Sequence, residues 1–271
     1  MSKKRILFIT LILLVILSLP IYAATNEYQK NDINLRNYFE NKENISFVLY
    51  NLEDDSYSIY NESQVNEPLS PASTFKICHS LIALQTGVLK KDKLNKMKWN
   101  GKKYPIKSWN KDQTLSSAVS HSVVWYFQKV AVKIGKDRMK SYLSKLHYGN
   151  EQISRINTFW FDNSLKISAK EQVEFMKKLY TNKLPFDRKV MDKVKKIITL
   201  EETKNYIFSG KTGTLSIDRK NRLGWFVGYF HNKNTKQRYV FALTIKNGKQ
   251  AKGWKAKKMS KSLLVKLNSI N

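Results

Sequence analysis

The chain opens its ordered pattern at residues 45–52, ISFVLYNL, a continuous apolar run rich in β-branched and aromatic side chains. After the acidic break Glu53-Asp54-Asp55, the run SYSIYN at 56–61 alternates small hydroxyl residues with larger ones. Two such runs around a polar turn predict a β-hairpin. The period then changes. Residues 73–86 carry Phe75, Ile77, Leu81, Ile82 and Leu84, and the spacing predicts a helix closed by Gly87. Residues 90–101 read as a lysine-rich loop, and 115–148 as a long, mostly helical region interrupted near Gly135. Ser168 with Glu171 three residues on has the pattern of a capping box and predicts a helix through Tyr180. Residues 190–200 read as another helix. Strand-like runs return in YIFSGKTGT (206–214), GWFVGYF (224–230) and RYVFALTIK (238–246), the last two joined by the turn-like HNKNTKQ. A final helix is expected over 255–267, and the polar stretch 26–44 reads as a lead-in helix or arm.

Strands, then helices, then strands and a last helix predict an α+β protein: an antiparallel sheet flanked by helices, with a helical subdomain inserted between its halves. At 271 residues with 42% hydrophobic side chains, the chain can bury a sizeable core. Its start, MSKKR followed by ILFITLILLVILSL, Pro20 and Tyr22-Ala23-Ala24, has the basic and apolar regions and small-residue cleavage site of a signal peptide. The uncharged stretch 6–24 is also long enough for a membrane anchor. Residues 1–24 are therefore expected to direct export, leaving 25–271 as one domain outside the cell, secreted or held at the outer face of the membrane.

The formal charge of +28 changes the picture of the surroundings. Lysines spread over the whole length, without the concentrated patch that nucleic-acid binding requires, so no nucleic-acid partner is expected. An anionic membrane or cell-wall surface is the neighbour such a charge suits. The single cysteine, Cys78, excludes an intramolecular disulfide and reads as a small buried thiol. The four dispersed histidines, His79, His121, His147 and His231, show no metal-ligand spacing.

One residue conflicts with its setting. Lys76 lies in an apolar helix whose interior would normally exclude an ammonium group. Ser73, three residues earlier, falls on the same helical face, within reach of the amine. A serine hydroxyl needs a neighbouring base to become a nucleophile, and a lysine desolvated into its neutral form is such a base. Two further elements follow in order: the triplet Ser122-Val123-Val124 and the strand-borne Lys211-Thr212-Gly213. Taken singly, each is compatible with an ordinary helix or strand. Together they form the Ser-x-x-Lys, Ser-x-x, Lys-Thr-Gly series of penicillin-recognising serine enzymes.

From about residue 45 to the last helix, the chain resembles the class D (oxacillinase-type) serine β-lactamases, particularly Gram-positive members. PASTFK (71–76), SVVWYFQ (122–128), YGN (148–150), the tryptophan-bearing FWFDNSLKISAKEQVEFMKKLY (159–180), KTGT (211–214) and GWFVGY (224–229) carry the resemblance. It implies a penicillin-binding catalytic domain that hydrolyses β-lactams and confers resistance to them. Ser73 would form the acyl-enzyme. Lys76, N-carboxylated by CO₂ or bicarbonate, would be the general base for acylation and for deacylation, and no other cofactor is implied. Trp160 would stabilise the carbamate, its indole being a donor only. Ser122 would relay a proton to the leaving nitrogen beside Lys211. Val124 would form an apolar wall, Thr212 and Gly213 would help to bind substrate, and the backbone N–H groups of Ser73 and Thr214 would form the oxyanion hole.

Two departures from the family pattern stand out. The region GKQAKGWKAKKMSKSLL contains no arginine to grip the substrate carboxylate, leaving Lys255, Lys257 or Lys258 as candidate point charges. Phe161 stands beside Trp160 where many relatives carry leucine. The alternatives are a β-lactam sensor domain that stays acylated, and a D,D-peptidase or transpeptidase. Known sensors of this kind carry several membrane spans and a metalloprotease domain ahead of the sensor. YGN and Trp160 favour class D over the peptidases.

Overall fold

β1 (Ile45–Asn51) and β2 (Ser56–Tyr60) form the expected hairpin. On its other edge β1 pairs with a strand almost two hundred residues away, Ser46 standing opposite Thr244. The computed structural model describes residues 35–40, 42–218 and 220–267; the export segment expected at 1–24 lies outside them. With β3 (Thr199–Glu202), β4 (Tyr206–Ile217), β5 (Lys220–Asn232) and β6 (Arg238–Lys246), the sheet runs β2-β1-β6-β5-β4-β3, every neighbouring pair antiparallel. The first strands and the last thus close one sheet, and the α+β architecture read from the element order is the observed one.

The helices are α1 (Leu35–Phe39), α2 (Glu62–Val65), α3 (Lys76–Gln85), α4 (Leu115–Ser120), α5 (Val124–Ile134), α6 (Lys136–Leu146), α7 (Ala169–Tyr180), α8 (Arg188–Ile198) and α9 (Gly253–Leu267). Side chains alternate between two cores. Trp225, Val227 and Tyr229 of β5 join Val48 and Tyr50 of β1 in the large core shared with α3 and α7. Phe226 and Phe230 join Phe47, Leu49 and Phe241 beneath α1 and α9. A strand covered on both faces needs no polar alternation, which is why β1 reads as an unbroken apolar run and is buried at every position. Among the described residues, no helix is long and apolar enough to cross a membrane.

Several expected boundaries move. The helix anticipated from residue 73 begins as a 3-10 turn, Ala72–Phe75, before α3 takes over at Lys76. The region 115–148 is three helices, broken at Ser122 (φ 55°) and at Gly135 (φ 84°). The helix anticipated over 190–200 stops at Ile198, and its last residues become β3, an edge strand on β4. Nothing in TLEE alternates in hydrophobicity; its extended form comes from pairing with β4, a tertiary effect. The capping box at α7 forms as expected, with Glu171 N–H donating to Ser168 Oγ at 3.2 Å and Ser168 N–H to Glu171 Oε2 at 2.7 Å.

Candidate active site

The 3-10 turn does local work. In 3-10 geometry residues i and i+3 eclipse, so the side chains of Ser73 and Lys76 stand over one another at the start of α3. Lys76 Nζ donates to Ser73 Oγ at 2.9 Å. Lys76 is fully buried, its amine 5.3 Å from the centre of the Phe127 ring. Burial, reinforced by the nearby charge of Lys211, holds its pKa well below the ordinary lysine range. The amine is therefore driven towards the uncharged form, able to accept a proton. Ala72, immediately before the serine, has φ 48°. A non-glycine residue in the left-handed region costs roughly 1–3 kcal/mol and persists only where its surroundings impose it.

The opposite wall comes from the helical subdomain and β4. Ser122 sits in the break between α4 and α5, with Val124 the first residue of α5. Lys211 Nζ donates to Ser122 Oγ at 2.5 Å, and lies 3.1 Å from the carbonyl oxygen and 3.3 Å from the hydroxyl of Thr212. Burial first, and then the charge of Lys257, push the Lys211 pKa down to about 7. Gly213 lets β4 press against the serine turn: a Cβ there would lie 3.1 Å from the carbonyl oxygen of Pro71 and 3.2 Å from Thr74 Cγ2. Gly253 closes the same corner, its N–H donating to Thr214 Oγ1 at 2.9 Å. The strand with Lys211, the turn with Ser73 and the start of α9 thus converge.

Trp160 is 1% exposed and packs against the His79 ring, one turn beyond Lys76, at 5.4 Å. Its ring stacks on Phe75 at 6.2 Å and meets Phe161 edge-on at 5.2 Å. The loop carrying it is held at both ends. Asn150 N–H donates to the Lys166 carbonyl at 2.9 Å, and Lys166 N–H returns to Asn150 Oδ1 at 2.9 Å. Ile167 and Leu69 exchange two backbone hydrogen bonds, of 2.8 and 3.0 Å, which tie the loop to the segment leading into Ser73. Burial opposes ionisation of Asp162, yet hydrogen bonds from Ser154, Thr158 and Ser164 outweigh it and hold the pKa at about 2. Gly149 is required by both its φ of 57° and its space, since a Cβ would stand 1.9 Å from the Lys166 carbonyl oxygen. Gly149→Ala is expected to destabilise the fold by roughly 2 kcal/mol or more, read from a urea unfolding midpoint.

A supporting layer of polar contacts had no sequence motif to announce it. Gln172 Nε2 donates to Thr74 Oγ1 at 2.9 Å, Trp225 Nε1 donates to the Ser70 carbonyl at 2.9 Å, and Ser70 Oγ donates to the Trp160 carbonyl at 3.1 Å. In the sequence His79 stands out only as one of four scattered histidines. It lies fully buried one turn beyond Lys76, and the three-residue spacing that linked Ser73 to Lys76 would have pointed to it as well. The three candidate lysines separate. Lys255 lies over the Trp254 ring at 4.6 Å and, with Lys258, lines a cavity beside Tyr38 and Met259; Lys257 is the one whose charge acts on Lys211.

The arrangement offers a hydroxyl bonded to a buried amine, facing a second hydroxyl bonded to a second buried amine. The family model of the penicillin-binding-protein transpeptidase domain matches residues 21–264. The regulatory protein BlaR1 of Bacillus licheniformis is 41% identical over 220 residues, covering 81% of this chain and 36% of that protein. This chain thus spans about a third of BlaR1's length, and 47% of that of the methicillin resistance mecR1 protein. The probable β-lactamase YbxI of Bacillus subtilis (strain 168) is 37% identical over 274 residues, covering 98% of this chain and 99% of YbxI. The crystal structure of a class D β-lactamase from Bacillus subtilis superposes with a TM-score of 0.81 at 39% identity, over 88% of this chain and 97% of that one. With these relatives on both sides, the chain belongs to the penicillin-binding transpeptidase-domain family, in the group formed by class D β-lactamases and the penicillin-receptor domains similar to them.

Proposed function

We propose that this protein hydrolyses β-lactams through an acyl-enzyme on Ser73, with Lys76 as the general base. The observation that carries the reading is the 2.9 Å hydrogen bond between Ser73 Oγ and a fully buried amine whose pKa is depressed. In this reading the base at Lys76 removes the hydroxyl proton as Oγ attacks the lactam carbonyl. The N–H groups of Ser73 and Thr214 receive the developing oxyanion, each such donor contributing about 2.7–4 kcal/mol in a well-ordered site. Ser122 passes a proton to the departing lactam nitrogen, with Lys211 holding its hydroxyl in place, while Val124, Thr212 and Gly213 shape the substrate wall.

The residues fit carboxylation of Lys76 by CO₂: an amine whose burial favours its uncharged form, within an aromatic enclosure, with an unpaired buried imidazole beside it. The modification would supply an anionic oxygen base able to activate water for deacylation, and Trp160 would help to hold it. Lys257 is the candidate anchor for the substrate carboxylate. A hydrogen bond to a charged group contributes about 1.5–3 kcal/mol, so Lys257→Ala is expected to raise KM for benzylpenicillin roughly tenfold or more. Removing that like charge is also expected to raise the Lys211 pKa from about 7, moving the corresponding limb of the pH–rate profile upwards. Export directed by residues 1–24 and retention at an anionic membrane or wall surface complete the proposal.

The resemblance to BlaR1 favours a second reading, a receptor that is acylated and not turned over. Time-resolved mass spectrometry with benzylpenicillin, with and without bicarbonate, separates the two. A transient adduct cleared faster with bicarbonate supports the hydrolase. A stable adduct that bicarbonate does not clear supports the receptor.

A further inference from the structure

His79 is 0% exposed and enclosed by aromatic rings, with centroids of Phe127 at 5.1 Å, Trp160 at 5.4 Å and Phe75 at 5.5 Å. Neither of its ring nitrogens has a hydrogen-bond partner among the described residues. Burying an unpaired polar group costs about 1–3 kcal/mol, and a leucine or phenylalanine in this enclosure would avoid that cost. The imidazole shares the Phe127 ring with Lys76, whose Nζ lies 5.3 Å from the ring centre. Burial, and to a lesser extent the charge Lys76 carries when protonated, lowers the His79 pKa to about 3. The ring is thus neutral and carries one N–H donor and one acceptor nitrogen.

We propose that His79 is a positioning residue for carboxylated Lys76, donating an imidazole N–H to a carboxylate oxygen of the adduct. This rests on the carboxylation proposed above. In that step the Nζ lone pair forms the bond to the carbon of CO₂. A C=O π pair moves onto oxygen, and one Nζ proton leaves to solvent. His79 neither gains nor loses a proton. Its unpaired donor becomes satisfied only when the adduct is present, which favours the modified state over the free amine.

The test is ¹³C NMR of the full-length protein titrated with ¹³C-bicarbonate, following the carbamate resonance. His79→Leu is expected to raise the half-saturating bicarbonate concentration roughly tenfold, and His79→Asn, which keeps an N–H donor, to restore most of it. Equal lowering of thermal stability in both variants with unchanged half-saturation would mean a packing role and overturn the proposal. With ¹⁵N-histidine in the unsubstituted protein, the His79 ring N–H resonance should shift at the same half-saturation as the carbamate. A static resonance overturns the proposal even if the leucine variant fails to fold. Absence of any carbamate signal in the unsubstituted protein would remove the carboxylated lysine itself, and His79's role with it. A carbamate signal indifferent to His79→Leu would remove only the role of His79.

Discussion

Ser73→Ala is expected to abolish covalent capture of benzylpenicillin and to lower turnover by a factor on the order of 10⁶, the scale of removing the nucleophile from another serine hydrolase. Two hydroxyls in this site are bonded to buried lysines, Ser73 to Lys76 and Ser122 to Lys211. Only Ser73 sits on the turn against which Gly213 brings β4 into contact. Mass spectrometry of the intact protein, followed by peptide mapping of any adduct, decides between them; an adduct on Ser122 would overturn the assignment. The substitution also leaves the Lys76 amine without its hydroxyl partner, so a modest loss of stability, about 1–3 kcal/mol, is expected alongside the loss of chemistry.

Lys76→Met is expected to have the opposite pairing of effects. Removing a general base typically costs 10²- to 10⁴-fold in rate, and here one residue is assigned both acylation and deacylation, so turnover should fall by roughly the upper figure. Stability should rise. The folded pKa of Lys76 lies well below its ordinary value of 10.5, so at pH 7 the unfolded chain binds more protons than the native one. Native stability is diminished by that difference, and methionine, apolar and of similar length, removes it. The gain should be present at neutral pH and fade as pH rises through the ordinary lysine value, where the unfolded state also loses the proton. Urea unfolding at several pH values reads this directly. A variant less stable than the parent at pH 7 would mean that the Lys76 hydrogen bond outweighs the desolvation of its amine.

This opposition between stability and chemistry is the physical content of the lysine that looked misplaced in the sequence. Sites assembled for reaction hold groups in surroundings that stability alone would reject. Lys76, the left-handed Ala72 and Ser122, and the unpaired His79 are such groups, and all lie within the same few elements.

Sequence alone determined a good deal. Runs long enough to fill a strand or a helical face were legible: β1, β2, the two strands flanking HNKNTKQ, and α7 with its capping box. So was the Ser73–Lys76 pairing, because three-residue spacing is a local property that holds in α and 3-10 geometry alike. Tertiary structure decided the rest. TLEE became β3 because β4 offers it a pairing edge, and Ser122 left its helix to meet Lys211, 89 residues away in sequence. Lys257 was distinguished from Lys255 and Lys258 because its charge is the one that reaches Lys211 through space. His79 gained its interest from two nitrogens that no neighbour satisfies. Periodicity and spacing report what a residue does with its own turn of chain. Burial, charge proximity and an unmet hydrogen bond depend on groups brought together through space, and only the folded arrangement sets them.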